Sequence, residues 1–304
     1  MKTKFAVSTL ALAVSTSAFA ECGKVTMSDV GWTDITTTTA TAAHVLEALG
    51  YDVDVKILSV PVTYASLESD DVDIFLGAWI PAQSGVLQPY LDKGEIDILA
   101  TNLEGTAYTL AVPTYTYERG LKSFKDIANF EDSLDGKIYG IEPGNEGNDY
   151  LVSLTEREGS GLTGFKIVES SEQGMLSQVA RAYKKQEDVV FLGWAPHPMN
   201  ANFDIKYLPG GEEFFGGEGV VKTLARKGYA IECANSGKLF SQMAFSLPME
   251  NMIMGQILDD GQDPTDATMA WIKNNKDAVL SWVDGVTTQD GGDGVAAVSA
   301  AFGY

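Results

Sequence analysis

Short apolar runs alternate with amphipathic stretches along most of this 304-residue chain, and that alternation restricts the possible folds more than any other feature. Runs at 24–30, 52–58, 73–79, 107–112, 137–141, 165–168 and 189–194 read as strands. Between them, residues 39–49, 62–69, 148–158 and 172–185 carry helical spacing. The pattern predicts an α/β chain with largely parallel sheets. The last quarter changes character: helices are expected over 238–245, 250–259, 265–274 and 276–283, with few strands. From Gly285 onward the chain is rich in Gly, Ala and Asp and is expected to be partly mobile. At 45% hydrophobic residues, such a length can bury a substantial core and is sufficient for two domains.

The first twenty residues read as an export signal. Lys2 and Lys4 make the start positive, an apolar stretch holds Leu10 to Val14, and Ala18-Phe19-Ala20 forms a cleavage site. The mature chain is expected to begin at Glu21 and to be soluble and periplasmic. Glu21 is the wrong residue to precede a lipid-bearing Cys22, and no later run approaches the roughly 18 apolar residues of a membrane helix. Export permits a disulfide, and the two cysteines, Cys22 and Cys233, have neither CxxC spacing nor a third thiol. A structural bridge is expected, with two buried free thiols as the alternative. Loss of the leader takes the formal charge from −21 to −23, because it removes two lysines and no acids. Such acidity argues against nucleic acid and anionic membrane surfaces as partners and weakly favours cationic ligands.

Three tryptophans stand where apolar runs would spill into loops. They lie in Gly31-Trp32-Thr33-Asp34, Gly77-Ala78-Trp79-Ile80-Pro81 and Gly193-Trp194-Ala195-Pro196. Large rings at strand ends can converge on one cavity, and an electron-rich cavity suits a cation that offers no N–H to hydrogen-bond. A quaternary ammonium group is such a cation. Trp271 and Trp282 fall in amphipathic helices and are expected to be packing residues. Tyr108, at the start of a strand, fits core or site equally well. Enzyme templates fail in turn: there is no G-x-S-x-G elbow, no phosphate-cradling loop and no H-E-x-x-H. His44 lies in a helical pattern and His197 between two prolines, without metal-pair spacing. Glu142 and Glu146, which flank Pro143-Gly144, are expected to be structural or capping groups. No catalytic residue, metal or cofactor is therefore expected.

Several longer motifs occur in order: Trp32-Thr33-Asp34, Phe75 to Trp79, Tyr139 to Asn145, Ser170 to Met175, and Phe191 to Met199. Together they resemble the periplasmic choline-binding proteins, within the glycine betaine and choline class of ABC importer substrate-binding proteins. The resemblance covers nearly the whole mature chain. It implies a two-lobed α/β Venus-flytrap fold with a ligand cleft between the lobes. It also implies an aromatic box of Trp32, Trp79, Tyr108 and Trp194 around a trimethylammonium group, with Asp34 and Asn145 meeting the choline hydroxyl. On a plainer reading Asp34 only caps the helix that follows. The same family places a bridge at Cys22 and Cys233, while Ala78 departs from the polar residue expected there.

The expected organisation is a signal peptide over 1–20, a first lobe from 21–107 and 212–304, and a second lobe over 108–211. The chain is expected to be a monomer that captures choline and passes it to an ABC permease. Glycine betaine, trimethylamine N-oxide and carnitine are the alternative ligands. An exported enzyme acting on choline esters would need a nucleophile and base near the box, and the sequence shows no such arrangement.

Overall fold

A computed structural model describes residues 22–304; the expected signal peptide and Glu21 lie outside the described residues. The first unit of alternation forms with the predicted strands and helices and one helix more, α3: β1 Lys24–Asp29, α1 Thr33–Ala48, β2 Asp52–Ile57, α2 Val60–Glu68, β3 Ile74–Ile80 and α3 Ser84–Lys93. The chain then enters β4, Ile96–Pro113, and α4, Thr114–Glu118. The second unit of alternation follows with β5 Lys137–Tyr139, α5 Glu146–Glu156, β6 Lys166–Val168, α6 Glu172–Lys185 and β7 Phe191–Ala195. After α7, Met199–Asn202, come β8 Ile205–Tyr207, α8 Glu212–Phe215 and β9 Gly219–Arg226. Six helices close the chain: α9 Tyr229–Glu232, α10 Ala234–Gln242, α11 Leu247–Leu258, α12 Pro264–Asn274, α13 Lys276–Trp282 and α14 Gly294–Phe302.

The strands follow the order β2-β1-β3-β9-β4-β7-β5-β6, with β8 beside β4. The two ends of this path are parallel, since β1 pairs β2 and β3, and β5 pairs β6 and β7. Its middle is antiparallel: β9 runs against both β3 and β4, and β4 runs against β7 and β8. The expected largely parallel sheet is therefore corrected to a mixed one. The reason is β9 and β8, two return strands that the sequence reading passed over. Along β4 the partner changes abruptly, from β9 up to Thr106↔Gly219 to β7 from Ala107↔Ala195. One strand thus belongs to two sheets, and the chain returns through residues 208–218, giving a two-lobed molecule with two crossings.

Helix α1 begins six residues earlier than its spacing suggests. Threonines lower helix propensity, but Thr33, Thr37, Thr38, Thr39 and Thr41 are all buried, and Thr41 Oγ1 donates to Thr37 O at 2.8 Å. Tertiary burial against α11 and α12 outweighs propensity here. His44, buried on this helix, bonds Thr265 O at 3.0 Å and ties α1 to α12. Trp271 and Trp282 stack at 6.0 Å inside the helical layer, as packing residues should. The segment after Gly285, expected to be partly mobile, contains helix α14, and Val298 and Phe302 bury one face of it. Cys22 and Cys233 form a disulfide that pins the start of β1 to the α9–α10 junction.

Candidate functional site

Every box tryptophan is delivered by the end of a strand. Gly31, at φ +80, turns the chain sharply after β1 and its N–H donates to Asp29 Oδ1 at 2.8 Å, which leaves Trp32 at the N-cap of α1. Trp79 and Trp194 are the penultimate residues of β3 and β7, and each strand is followed by a cis X-Pro peptide. Tyr108 pairs directly with Trp194 across the β4–β7 ladder. These rings, with Asp34, Asn145, Glu146, Gln83, Ala82 and Ile141, line one cavity. All six residues named from the sequence are brought together there. Trp79 and Tyr108 meet edge to face, with centroids 6.3 Å apart at 66°, so they form a corner rather than a stack.

Polar groups aim into this corner with their partners only half satisfied. Asp34 is 1% exposed; Trp79 Nε1 donates to its Oδ2 at 3.0 Å, while Oδ1 is buried without a partner. The plainer capping role does not hold, since α1 has no side-chain cap from its own sequence. Burial, then the nearby charge of Glu172, pushes the Asp34 carboxyl up to about 8, against the pull of the Trp79 hydrogen bond. Asn145 does cap, and α5 is the helix it caps. Its Oδ1 accepts from Gly147 N at 2.9 Å and from Asn148 N, and also from the Tyr108 hydroxyl at 3.0 Å. Three donors fill that oxygen, so a ligand can meet Asn145 only through its amide N–H groups, which also face the Glu142 carboxyl.

Sequence reading missed Glu146. It was expected to be structural or a cap, yet Asn145 provides the cap and Glu146 lines the cavity with Oε1 buried and unpartnered. Burial pushes this carboxyl up to about 7, with the charges of Glu142 and Asp149 adding to the effect. The signal was its place in the first turn directly after Asn145. Burial likewise raises Glu142, against the pull of the Trp32 indole, which approaches it without meeting hydrogen-bond geometry. Glu250, also 1% exposed, is raised well above the usual carboxylate range by burial and then by Asp34. No lysine or arginine is among the described residues that line the cavity.

The two lobes touch around this cavity. Thr33 N and Oγ1 both donate to Glu172 Oε2 at 2.9 Å, and on the exposed surface Asn202 Nδ2 donates to Asp259 Oδ1 at 2.7 Å. Gln83, 1% exposed, backs the cavity floor and accepts from the Tyr64 hydroxyl at 2.9 Å. His197 is spent inside the second lobe on Glu172, at 2.7 Å. Among the described residues there is no cluster that could hold a metal ion, and no helix is long and apolar enough to cross a membrane.

Two lobes that meet around an aromatic, acid-lined cavity define a solute-binding protein. Over residues 23–274 the chain matches the substrate-binding domain of ABC-type glycine betaine transport systems, and it belongs to that family of transport proteins rather than to an enzyme family. Among solved structures it is similar to an ABC-transporter choline-binding protein in complex with choline. The two are 55% identical, with a TM-score of 0.90, over 93% of this chain and 99% of that one. The unliganded, semi-closed form of such a protein gives 55% identity and a TM-score of 0.86, over 93% and 100% of the two chains. The lactococcal protein closed on glycine betaine is 26% identical, with a TM-score of 0.77, over 85% and 98%.

Proposed function

We propose that this chain is the periplasmic receptor of an ABC importer, that it captures choline and that it hands it to a membrane permease as a monomer. The observation that carries this reading is the cavity itself: four aromatic residues from both lobes, with buried carboxyl groups and no basic residue beside them. A trimethylammonium group spreads its charge over methyl hydrogens, so ring faces can replace its weak hydration without hydrogen-bond geometry. Each ring contributes roughly 0.5–2 kcal/mol when desolvated. Micromolar binding needs about 8 kcal/mol, so the hydroxyl and apolar burial must add to the box. Choline's hydroxyl donates to Asp34 Oδ1, which the protein leaves without a partner, and accepts from the Asn145 amide, which also lines the cavity. The choline complex and this chain at 55% identity support the assignment.

The division into lobes of 21–107 with 212–304, and 108–211, is part of this reading; the change of β4 partner after Thr106 supports it. Glycine betaine is the second reading, favoured by the family's description. Its carboxylate would face Asp34 and Glu146 with no lysine or arginine to receive it. Trp194→Ala tests the site: choline affinity should fall by more than about tenfold, roughly 1.4 kcal/mol, in a protein that still melts cooperatively. Unchanged affinity would remove Trp194 from the box.

A further inference from the structure

Closing this cleft assembles acids that neither lobe carries alone. From the first lobe come Asp34 and Glu250, both 1% exposed, and from the second come Glu142, Glu146 and Glu172. Glu172, the first residue of α6, is itself 1% exposed and crosses to the other lobe. There it receives Thr33 N and Thr33 Oγ1, both at 2.9 Å. Helix α1 has no side-chain cap of its own, so a carboxylate from the opposite lobe stands at its open N-terminus, where backbone N–H groups lack partners. The other Glu172 oxygen accepts from His197 Nε2 at 2.7 Å. His197 Nδ1 accepts from Met199 N at 2.9 Å, which puts the ring proton on Nε2. Three donors on one carboxylate suit its ionised form.

Both ends of this link touch the box. Thr33 lies between Trp32 and Asp34, and the His197 ring packs edge-on against Trp194 at 4.8 Å. The charge that Glu172 carries across also falls on Asp34, where it is the strongest Coulombic influence on that carboxyl, and more weakly on Glu142 and Asp29. The same movement that makes two hydrogen bonds therefore crowds acidic groups around the cavity, where each disfavours the charge of the others. A ligand of net charge +1 relieves the crowding, whereas a zwitterion brings a carboxylate that adds to it.

We propose that Glu172 is a specificity-determining residue that acts through closure: it crosses the cleft to cap α1, and the negative charge it brings favours closing over a cationic ligand and disfavours closing over a zwitterion with the same ammonium head. This rests on the quaternary-ammonium reading of the cavity. The test is calorimetric titration of choline and glycine betaine into the wild type, Glu172→Gln and Thr33→Val, with a thermal melt of each. Glu172→Gln keeps an oxygen for Thr33 but not the charge, and should narrow the choline-over-betaine ratio by about tenfold or more, in part through tighter betaine binding. Thr33→Val removes one latch bond and no charge, so both ligands should weaken alike with the ratio kept. If Glu172→Gln does not fold, Glu172→Asp serves instead: it retains charge with a shorter reach and must keep the ratio while weakening both ligands. A wild-type ratio in Glu172→Gln, or a ratio altered by Thr33→Val or Glu172→Asp, overturns the proposal. A wild type that binds no quaternary ammonium compound overturns the reading of the cavity instead.

Discussion

Asp34 concentrates the chemistry of the site in one carboxyl group. Its pKa is pushed up to about 8, from an ordinary 3.8, because burial and Glu172 both disfavour its charge. A carboxyl raised on folding holds a proton the unfolded chain has already lost. Its contribution to stability is therefore full below about pH 4 and is lost as pH rises through 8. A bound cation reverses the preference, since it favours the ionised form, and binding must expel the proton. Choline affinity should accordingly rise between about pH 6 and 8 and level off above, with Glu146, raised to about 7, contributing the lower part of the slope. Calorimetry in two buffers of unlike ionisation enthalpy should register proton release near neutrality. Asp34→Asn should leave only the Glu146 portion, and a flat pH profile in the wild type would contradict this description of the carboxyl.

At the scale of elements, the site depends on how closely α5 approaches β4. A methyl group added at Gly147 would overlap the Tyr108 hydroxyl, so the helix can seat Tyr108 against Asn145 only with glycine there. Gly147→Ala should displace the ring and weaken choline binding by about tenfold, while the melting temperature moves little; titration and a thermal melt check both. Such an approach is invisible in a linear pattern. What the pattern did carry was the strand ends: Trp32, Trp79 and Trp194 all enter the cavity because the rings sit where apolar runs stop. Phe75-Leu76-Gly77 in β3 and Phe191-Leu192-Gly193 in β7 repeat one motif, and β3, with one more residue before its tryptophan, has a register irregularity between Phe75 and Ala78. The sequence hid whatever depends on distant partners. β9 and β8 are return strands whose pairing is set by β4, the start of α1 is held by burial and Glu172, and Glu146 is distinguished only by facing a cavity built from elsewhere.

Across the whole molecule, the disulfide and the cleft serve separate purposes. Cys22 and Cys233 close a loop of 211 residues on the far side of the first lobe from the aromatic rings, and none of the residues lining the cavity is a cysteine. In the chain-entropy view such a loop restrains the unfolded chain by roughly 5 kcal/mol at most. Reduction should lower the melting temperature while leaving choline affinity nearly intact; lost affinity at temperatures where the reduced protein is still folded would show that the bridge shapes the site. The central claim is that charge and ring geometry together make this cavity a receptor for choline. It is tested most directly by side-by-side calorimetric titration of the protein with choline and glycine betaine at about pH 8, where Asp34 ionises. One choline site per chain, at least about tenfold tighter than betaine, is the predicted result, and betaine binding as tightly as choline would contradict it.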